Sequence, residues 1–337
     1  MSVSIYDIAK VCGVSAATVS NVLNDRGRFS QRTKRSVLKA ANDLGYAPNL
    51  TARSLRVAST KTVAIITPDV CNDFFSNIVL HIERGMYLKG YASYIANSSY
   101  RSSVVNEYLQ NLYQRGIDGY FLVGYTGEED FSIIADKPCA LLDYTGPSRP
   151  DQYFLAVNDI GAMIRDQVRV LADRGCTRIA LSVINTDDSF SQGGSLYNVF
   201  RDALQKNGLH FNPQLLLSGP HLKSSRRDSY ERVSKALSSG LAIDGIAAIG
   251  DRLALGALEA VRDHGLKVGH DVKVMGIDDS LYSQISHPAI STISRNTNQL
   301  AMSCVEAMSD MLEGIELPCH EIVIPHKVIE RESTLER

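Results

Sequence analysis

Apolar positions recur at helical spacing in the first turns of the chain. Ile5, Ile8, Ala9 and Cys12 fall at i, i+3, i+4 and i+7 and predict a single buried stripe. Gly13 follows where a helix can end in the left-handed conformation, and Ser15 is placed to cap a second helix. That helix is expected to turn Val19, Val22 and Leu23 inward. Its outward face is then Ala16, Ala17, Ser20, Asn21 and Asn24, small and polar and without charge. A third helix is expected from about Ser30, packing through Val37, Leu38, Ala41 and Leu44 and ending at Gly45. Three short helices on one small core form a helix-turn-helix head, a unit whose second helix suits the major groove of DNA.

Beyond residue 61 the rhythm changes. Short apolar runs at 63–66, 92–96, 119–123, 140–142, 179–183, 245–249 and 272–276 predict strands, and amphipathic stretches at 78–89, 160–173 and 254–264 predict helices between them. This alternation implies parallel sheets covered by helices. Roughly 275 residues are too many for one core, so two α/β lobes are expected.

Charge divides the chain at the same place. Residues 1–60 hold nine basic groups against three acidic ones, a net +6, although the whole chain is −2 and the body therefore −8. A basic head on an acidic body is the footprint of a protein that meets phosphates with one part only.

Several classes of chemistry lack their signatures. The six cysteines form no Cys-x-x-Cys pair, which predicts neither a zinc ribbon nor a disulfide framework and fits a reducing cytoplasm. His320, Glu321 and His326 have the wrong spacing for a zinc protease, and there is no nucleophile elbow or phosphate-binding glycine loop. No apolar run approaches a membrane span, and no signal peptide precedes the head. The expectation is a cytoplasmic protein that is not an enzyme and needs no metal or cofactor. An exported solute-binding protein, which the body alone would fit, is disfavoured.

Four stretches, in order, carry a family resemblance: Ile5-Tyr6-Asp7-Ile8-Ala9-Lys10, Gly13-Val14-Ser15-Ala16-Ala17-Thr18-Val19-Ser20, Leu44-Gly45-Tyr46-Ala47-Pro48-Asn49 and Ala52-Arg53-Ser54-Leu55. With them the chain resembles, over its whole length, the lac-repressor and purine-repressor (LacI/GalR) family of bacterial transcription regulators. The resemblance implies an all-α helix-turn-helix head at 1–47, a hinge helix and linker at 48–61, and a periplasmic-binding-protein-like body of two parallel-sheet lobes at 62–337. Lobe 1 would hold about 62–159 and 295–319, and lobe 2 about 160–291 and 322–337, with crossings near 159, 291–295 and 318–321. It further implies a homodimer on near-palindromic operator DNA, acting as a repressor under a sugar-like or related small-molecule effector bound between the lobes. Dimer contacts would run along the helix around 78–87 and its second-lobe counterpart. The tail after Val328 has no evident heptad repeat, which favours a dimer over a tetramer.

On this basis the DNA-contact set is Ser15, Ala16, Ala17, Thr18, Ser20, Asn21, Asn24, Tyr46, Arg53 and Leu55. Asn21 can pair with adenine and the alanines can touch thymine methyls. Pro48 biases Ala47 out of the helix and ends the head. Asn49 can then cap a short helix over 50–56, which is marginal alone because nucleation is costly. By resemblance it orders when two copies meet on DNA, and Leu55 wedges into the minor groove. Without the preceding motif the segment reads better as a plain interdomain linker with Leu55 packed on the body; with the motif the hinge is favoured.

Ligands in open α/β sheets sit beyond the carboxyl ends of the strands. The effector set expected there is Phe74, Phe75, Asp143, Tyr144, Ser189, Gln192, Leu196, His221, Asp251 and Asp278. Aromatic walls with a few acids suit a polyhydroxylated or heterocyclic ligand. Asp251 fits a helix cap as well as a ligand contact. Leu196 stands where sugar- and purine-binding members carry an arginine, and His221 where many carry an aromatic. A pocket without that arginine leaves room for a regulator signalled by a partner protein instead.

Overall fold

The computed structural model describes residues 3–23, 27–46, 59–124, 129–143, 151–184, 194–218 and 225–335. The chain divides into two compact units, Met1–Thr60 and Lys61–Arg337.

In the first unit, α1 (Ile5–Cys12), α2 (Ala16–Leu23) and α3 (Gln31–Asp43) enclose a core of Ile8, Ala9, Val19, Val22, Val37, Ala40 and Ala41. Each start is locally encoded. The Ser4 backbone N–H and hydroxyl both donate to Asp7 Oδ2, at 2.8 and 2.7 Å, and these bonds hold the Asp7 carboxyl below its usual range. Thr18 N–H donates to Ser15 Oγ at 3.0 Å and Thr33 N–H to Ser30 Oγ at 3.1 Å. Gly13 ends α1 at φ +65°, a conformation that costs glycine little. Two expectations are corrected. Leu38 is 46% exposed, because α3 buries the 37–40–41 face and Leu38 lies one residue round from it. Ala16 is half-buried against the core, so the outward face of α2 is narrower than its polar pattern implied.

The body is built on a six-stranded and a four-stranded sheet. The first contains β1 (Thr62–Thr67), β2 (Ala92–Asn97), β3 (Gly119–Val123), β4 (Cys139–Leu142), β5 (Phe154–Val157) and β11 (Glu321–Val323) in the order β11-β5-β4-β3-β1-β2. All its pairings are parallel. The second has β6 (Ile179–Ser182), β7 (Leu216–Leu217), β8 (Gly245–Ala248) and β9 (Lys273–Met275) in the order β7-β6-β8-β9, again parallel. A bridge from Met275 to Ser291 attaches β10 (Thr292–Ser294), which pairs antiparallel with β12 (Lys327–Ile329). Strand order reverses beside β1 in the first sheet and beside β6 in the second, the switch points where such sheets hold ligands.

Helices complete the layers: α4 (Asp73–Leu88), α5 (Ser102–Gln114), α6 (Ile160–Asp173), α7 (Ser195–Lys206), α8 (Arg226–Ser238), α9 (Asp251–Asp263), α10 (Leu281–Ile285) and α11 (Thr297–Glu313). α11 follows β10 yet packs in the first core, where Leu300, Val305 and Met308 meet Ile78, Ile82 and Met86 of α4. The two helices approach at Gly85, where an added Cβ would lie 2.9 Å from Val305 Cγ1.

The chain passes between the sheets three times: from β5 to α6, from β10 to α11, and from β11 to β12. The last passage corrects the expected boundary. Residues 321–323 pair with β5 in the first sheet, so the crossing follows Ile324 rather than lying at 318–321, and residue 322 belongs to lobe 1. A three-residue edge strand is too short for its own periodicity to reveal. Gln167 of α6, fully buried, donates to the carbonyls of Ala248 (2.9 Å) and Gly276 (3.0 Å) and so fixes the carboxyl ends of β8 and β9.

Candidate DNA-contact face and ligand cleft

On the head, Ser15, Ala17 and Asn21 are exposed, while Thr18 and Ser20 are half-buried. The Ser15 hydroxyl caps α2, which leaves Ala17 and Asn21 as the exposed α2 members of the expected DNA-contact set among the described residues. Lys10, Arg28, Arg32, Arg35 and Lys39 of the same unit are exposed cations. Tyr46 packs against the head core, and its N–H donates to Ala41 O at 2.8 Å, so it holds the end of the head together. Asn24, Arg53 and Leu55, with most of the 48–61 hinge, lie outside the described residues.

In the body, the carboxyl ends of the strands converge on Arg295, in the crossing that follows β10. Its Nε donates to Asn158 Oδ1 at 3.0 Å, and Nη2 donates to Asp143 at the end of β4. Nη1 stands 3.8 Å from Asp278 Oδ1, beyond β9. The guanidinium lies 3.8 Å above the Phe74 ring, a cation–π contact on a 7% exposed side chain. Asn158 belongs to the first crossing, and its amide donates to Arg295 O (3.1 Å) and Ile324 O (2.8 Å). One amide and one guanidinium therefore tie all three crossings to both lobes.

Around this centre Phe74 and Phe75 meet edge to face, and Phe75 meets Tyr100 likewise. Both phenylalanines are largely in the first core, with Phe74 forming the floor beneath Arg295. Burial, followed by the nearby Asp69 carboxylate, pushes the Tyr100 hydroxyl up to about 12. Arg252 of α9 reaches across to Asp69, at 3.5 Å, and joins the lobes a second time. Seven described non-glycine residues have positive φ, and Ser99, Tyr100, Asp143, Asp278, Asp279 and Asn296 belong to this cleft and the segments flanking it. Strained backbone of this kind persists where surrounding structure enforces it, commonly at sites that bind or switch.

The acids here have different fates. Asp251 is fully buried; Oδ1 accepts from Thr292 Oγ1 at 2.6 Å and Oδ2 from Ser280 N–H at 2.7 Å. Gly276 makes room for it, since a Cβ there would lie 2.2 Å from Asp251 Oδ1. Burial raises its pKa to about 6 despite these bonds. Asp251 is thus a structural carboxylate, and its assignment to the effector set is corrected: both oxygens are occupied and closed to solvent. Asp279 pairs with Arg331. Asp278 is 15% exposed, and its carboxylate accepts no hydrogen bond from any described residue. Burial pushes it well above the ordinary range, Arg295 opposes that, and Asp251, Asp143 and Asp73 add to it.

Leu196, half-buried, packs on the second-lobe core with Val199 and Phe211. Tyr144, Ser189, Gln192 and His221 lie outside the described residues. Arg295, Asn158, Tyr100 and Arg252 were not among the expected site residues. Each follows a strand or starts a helix, with no local pattern to mark it.

A capped helix-turn-helix unit with a basic surface, joined to a two-lobed body whose cleft lies at the lobe crossings, defines a ligand-responsive transcription regulator. The family description "Bacterial regulatory proteins, lacI family" matches residues 4–49, and "Periplasmic binding protein-like domain" matches 168–334. The HTH-type transcriptional regulator RegA of Clostridium saccharobutylicum is 31% identical over 99% of this chain and 100% of its own. The HTH-type transcriptional repressor PurR of Histophilus somni is 28% identical over 95% of each. Among solved structures, the lac repressor dimer bound to operator and the anti-inducer ONPF superposes with a TM-score of 0.85 over 100% of both chains, at 22% identity. The chain belongs to the lacI family of bacterial regulatory proteins. Its relatives are transcriptional regulators rather than enzymes, and among the described residues no helix is long and apolar enough to cross a membrane.

Proposed function

We propose that this regulator represses transcription by binding a near-palindromic operator as a homodimer in the cytoplasm, and that a small polyhydroxylated or heterocyclic effector in the cleft sets its operator affinity. The observation that carries the reading is Asp278: a largely buried carboxylate with no hydrogen-bond donor among the described residues, beside the point where all three crossings are tied. A ligand that donates to Asp278 changes contacts on both lobes at once, and so biases one lobe arrangement over another. The head supplies the reading positions Ala17 and Asn21. Dimerisation through the first lobe is supported by Leu80, Tyr87 and Leu88 of α4 and by Tyr94 and Ile95 of edge strand β2, all exposed apolar side chains on neighbouring elements. The hinge at 48–61, with Leu55 as the minor-groove wedge, remains part of the proposal through the family resemblance.

The test is a thermal-shift screen against sugars, polyols, nucleosides and purines, followed by titration of the hits against an operator selected from random DNA. A ligand at about 100 times its Kd stabilises the folded state by roughly 2.7 kcal/mol. A hit that lowers operator affinity establishes an inducer, and one that raises it a corepressor. Operator binding indifferent to every stabilising ligand would sink the effector reading.

A further inference from the structure

Resting on the effector reading above, we infer that Arg295 sets the charge class of the ligand: paired with Asp143 and facing Asp278, it makes the cleft floor select an uncharged, hydroxyl-bearing ligand over its cationic and anionic counterparts. Three features support this. Arg295 is not free to act as an anion clamp, because its Nε is committed to Asn158, its Nη2 to Asp143 and its face to Phe74. Its remaining nitrogen is 3.8 Å from Asp278, too far for a direct hydrogen bond and wide enough for a hydroxyl to sit against both. Such a hydroxyl donates to the Asp278 carboxylate and accepts from Nη1, and so gives a donor to a carboxylate that accepts no hydrogen bond from the described residues. A carboxylate or phosphate in that place meets two acids around one arginine. An ammonium has nothing to accept from Nη1 and meets a guanidinium at close range.

The source of the arginine matters as much as its charge. The α7 position at Leu196 contributes only an apolar side chain to the second-lobe core. The guanidinium comes instead from a crossing segment whose own carbonyl accepts from Asn158. The group that reads the ligand is therefore also part of the joint between the lobes.

The test compares matched probes by calorimetry. Neutral sugars, polyols and nucleosides (glucose, ribose, myo-inositol and adenosine among them) are set against their amino, carboxylate and phosphate derivatives on wild type, Arg295→Gln and Asp143→Asn. Wild type should bind a neutral member at least tenfold more tightly than its charged derivatives. Arg295→Gln, which leaves two unneutralised acids, should shift the ratio at least tenfold toward the amino derivative. Asp143→Asn should shift it toward the carboxylate or phosphate derivative. Opposite shifts from the two variants cannot arise from a shared folding defect, and melting curves check each fold. Tighter wild-type binding of an anionic or amino derivative, or ratios unchanged in both variants, would overturn the inference. So would the absence of any neutral ligand for a wild-type protein that still binds its selected operator, whereas loss of operator binding itself would strike at the proposed function.

Discussion

The head and the body handle charge in opposite ways. In the head the cations Lys10, Arg28, Arg32, Arg35 and Lys39 are all exposed. In the body's cleft Arg295, Asp143 and Asp278 are largely buried and face one another. Exposed charges are screened within about 8 Å at physiological salt, and buried pairs much less. The head therefore suits a partner with a dense, mobile counterion atmosphere, and the cleft suits a small ligand that is enclosed. The cores differ as well. Among the described residues the head relies on seven buried apolar residues and three side-chain caps, while the body has four separate apolar clusters.

Salt should separate the two regions most strongly. Between 50 and 200 mM, operator affinity is expected to fall on the order of 10³-fold, while calorimetric ligand affinity changes less than about threefold. Equal sensitivity would mean that the cleft's charges are not shielded. Next in size are matched core truncations. Ile8→Ala and Ile65→Ala, both fully buried in wild type, should each cost about 2–5 kcal/mol. Ile8→Ala should abolish operator binding and leave the body's melting temperature in place, and Ile65→Ala should lower that temperature. A common shift in both would show that the two units unfold as one.

Asp251 gives a pH signature of the body alone. Its folded pKa, about 6, is above the ordinary value, so the buried acid is best tolerated below the unfolded pKa, and stability is lost as pH rises through 6. Asp251→Asn does not titrate. Relative to wild type it should gain stability between pH 4 and 6, by about 3 kcal/mol at pH 7, measured by urea unfolding. A difference independent of pH would show that Asp251 is not the buried acid responsible. The smallest effect belongs to the head: Ser30→Ala removes the bond from Thr33 N–H and should cost about 1 kcal/mol in thermal unfolding, with the body unaffected.

Much of the fold was legible because it is written at short range. The stripe of α1, the caps at Ser15 and Ser30, the seven predicted strands and the bounds of α6 all follow from spacings of two to four residues. Phe154–Val157 is as apolar as those seven runs and carries the same signal. Strands β7, β10, β11 and β12 are only two or three residues long, too short for a period to show; β9 is as short but lies within the apolar run 272–276, whereas only pairing defines the other four. The same limit moved the last crossing beyond Ile324.

The cleft marks where local reading stops. Asp251 and Asp278 share one signature, an aspartate just past an apolar strand. Thr292 and the Ser280 amide close over the first and leave the second without a donor, and those partners are 41 and 29 residues from Asp251. Arg295 is more remote still, 152 residues from Asp143 and 137 from Asn158. The sequence by itself determined a helix-turn-helix head, an α/β body and a charge division between them, because helix faces, caps and strand alternation depend on neighbours along the chain. Only the tertiary structure decided which acid is spent on folding, which is left without a donor and which arginine stands between the lobes, because those depend on desolvation and on partners that the chain brings together from far apart.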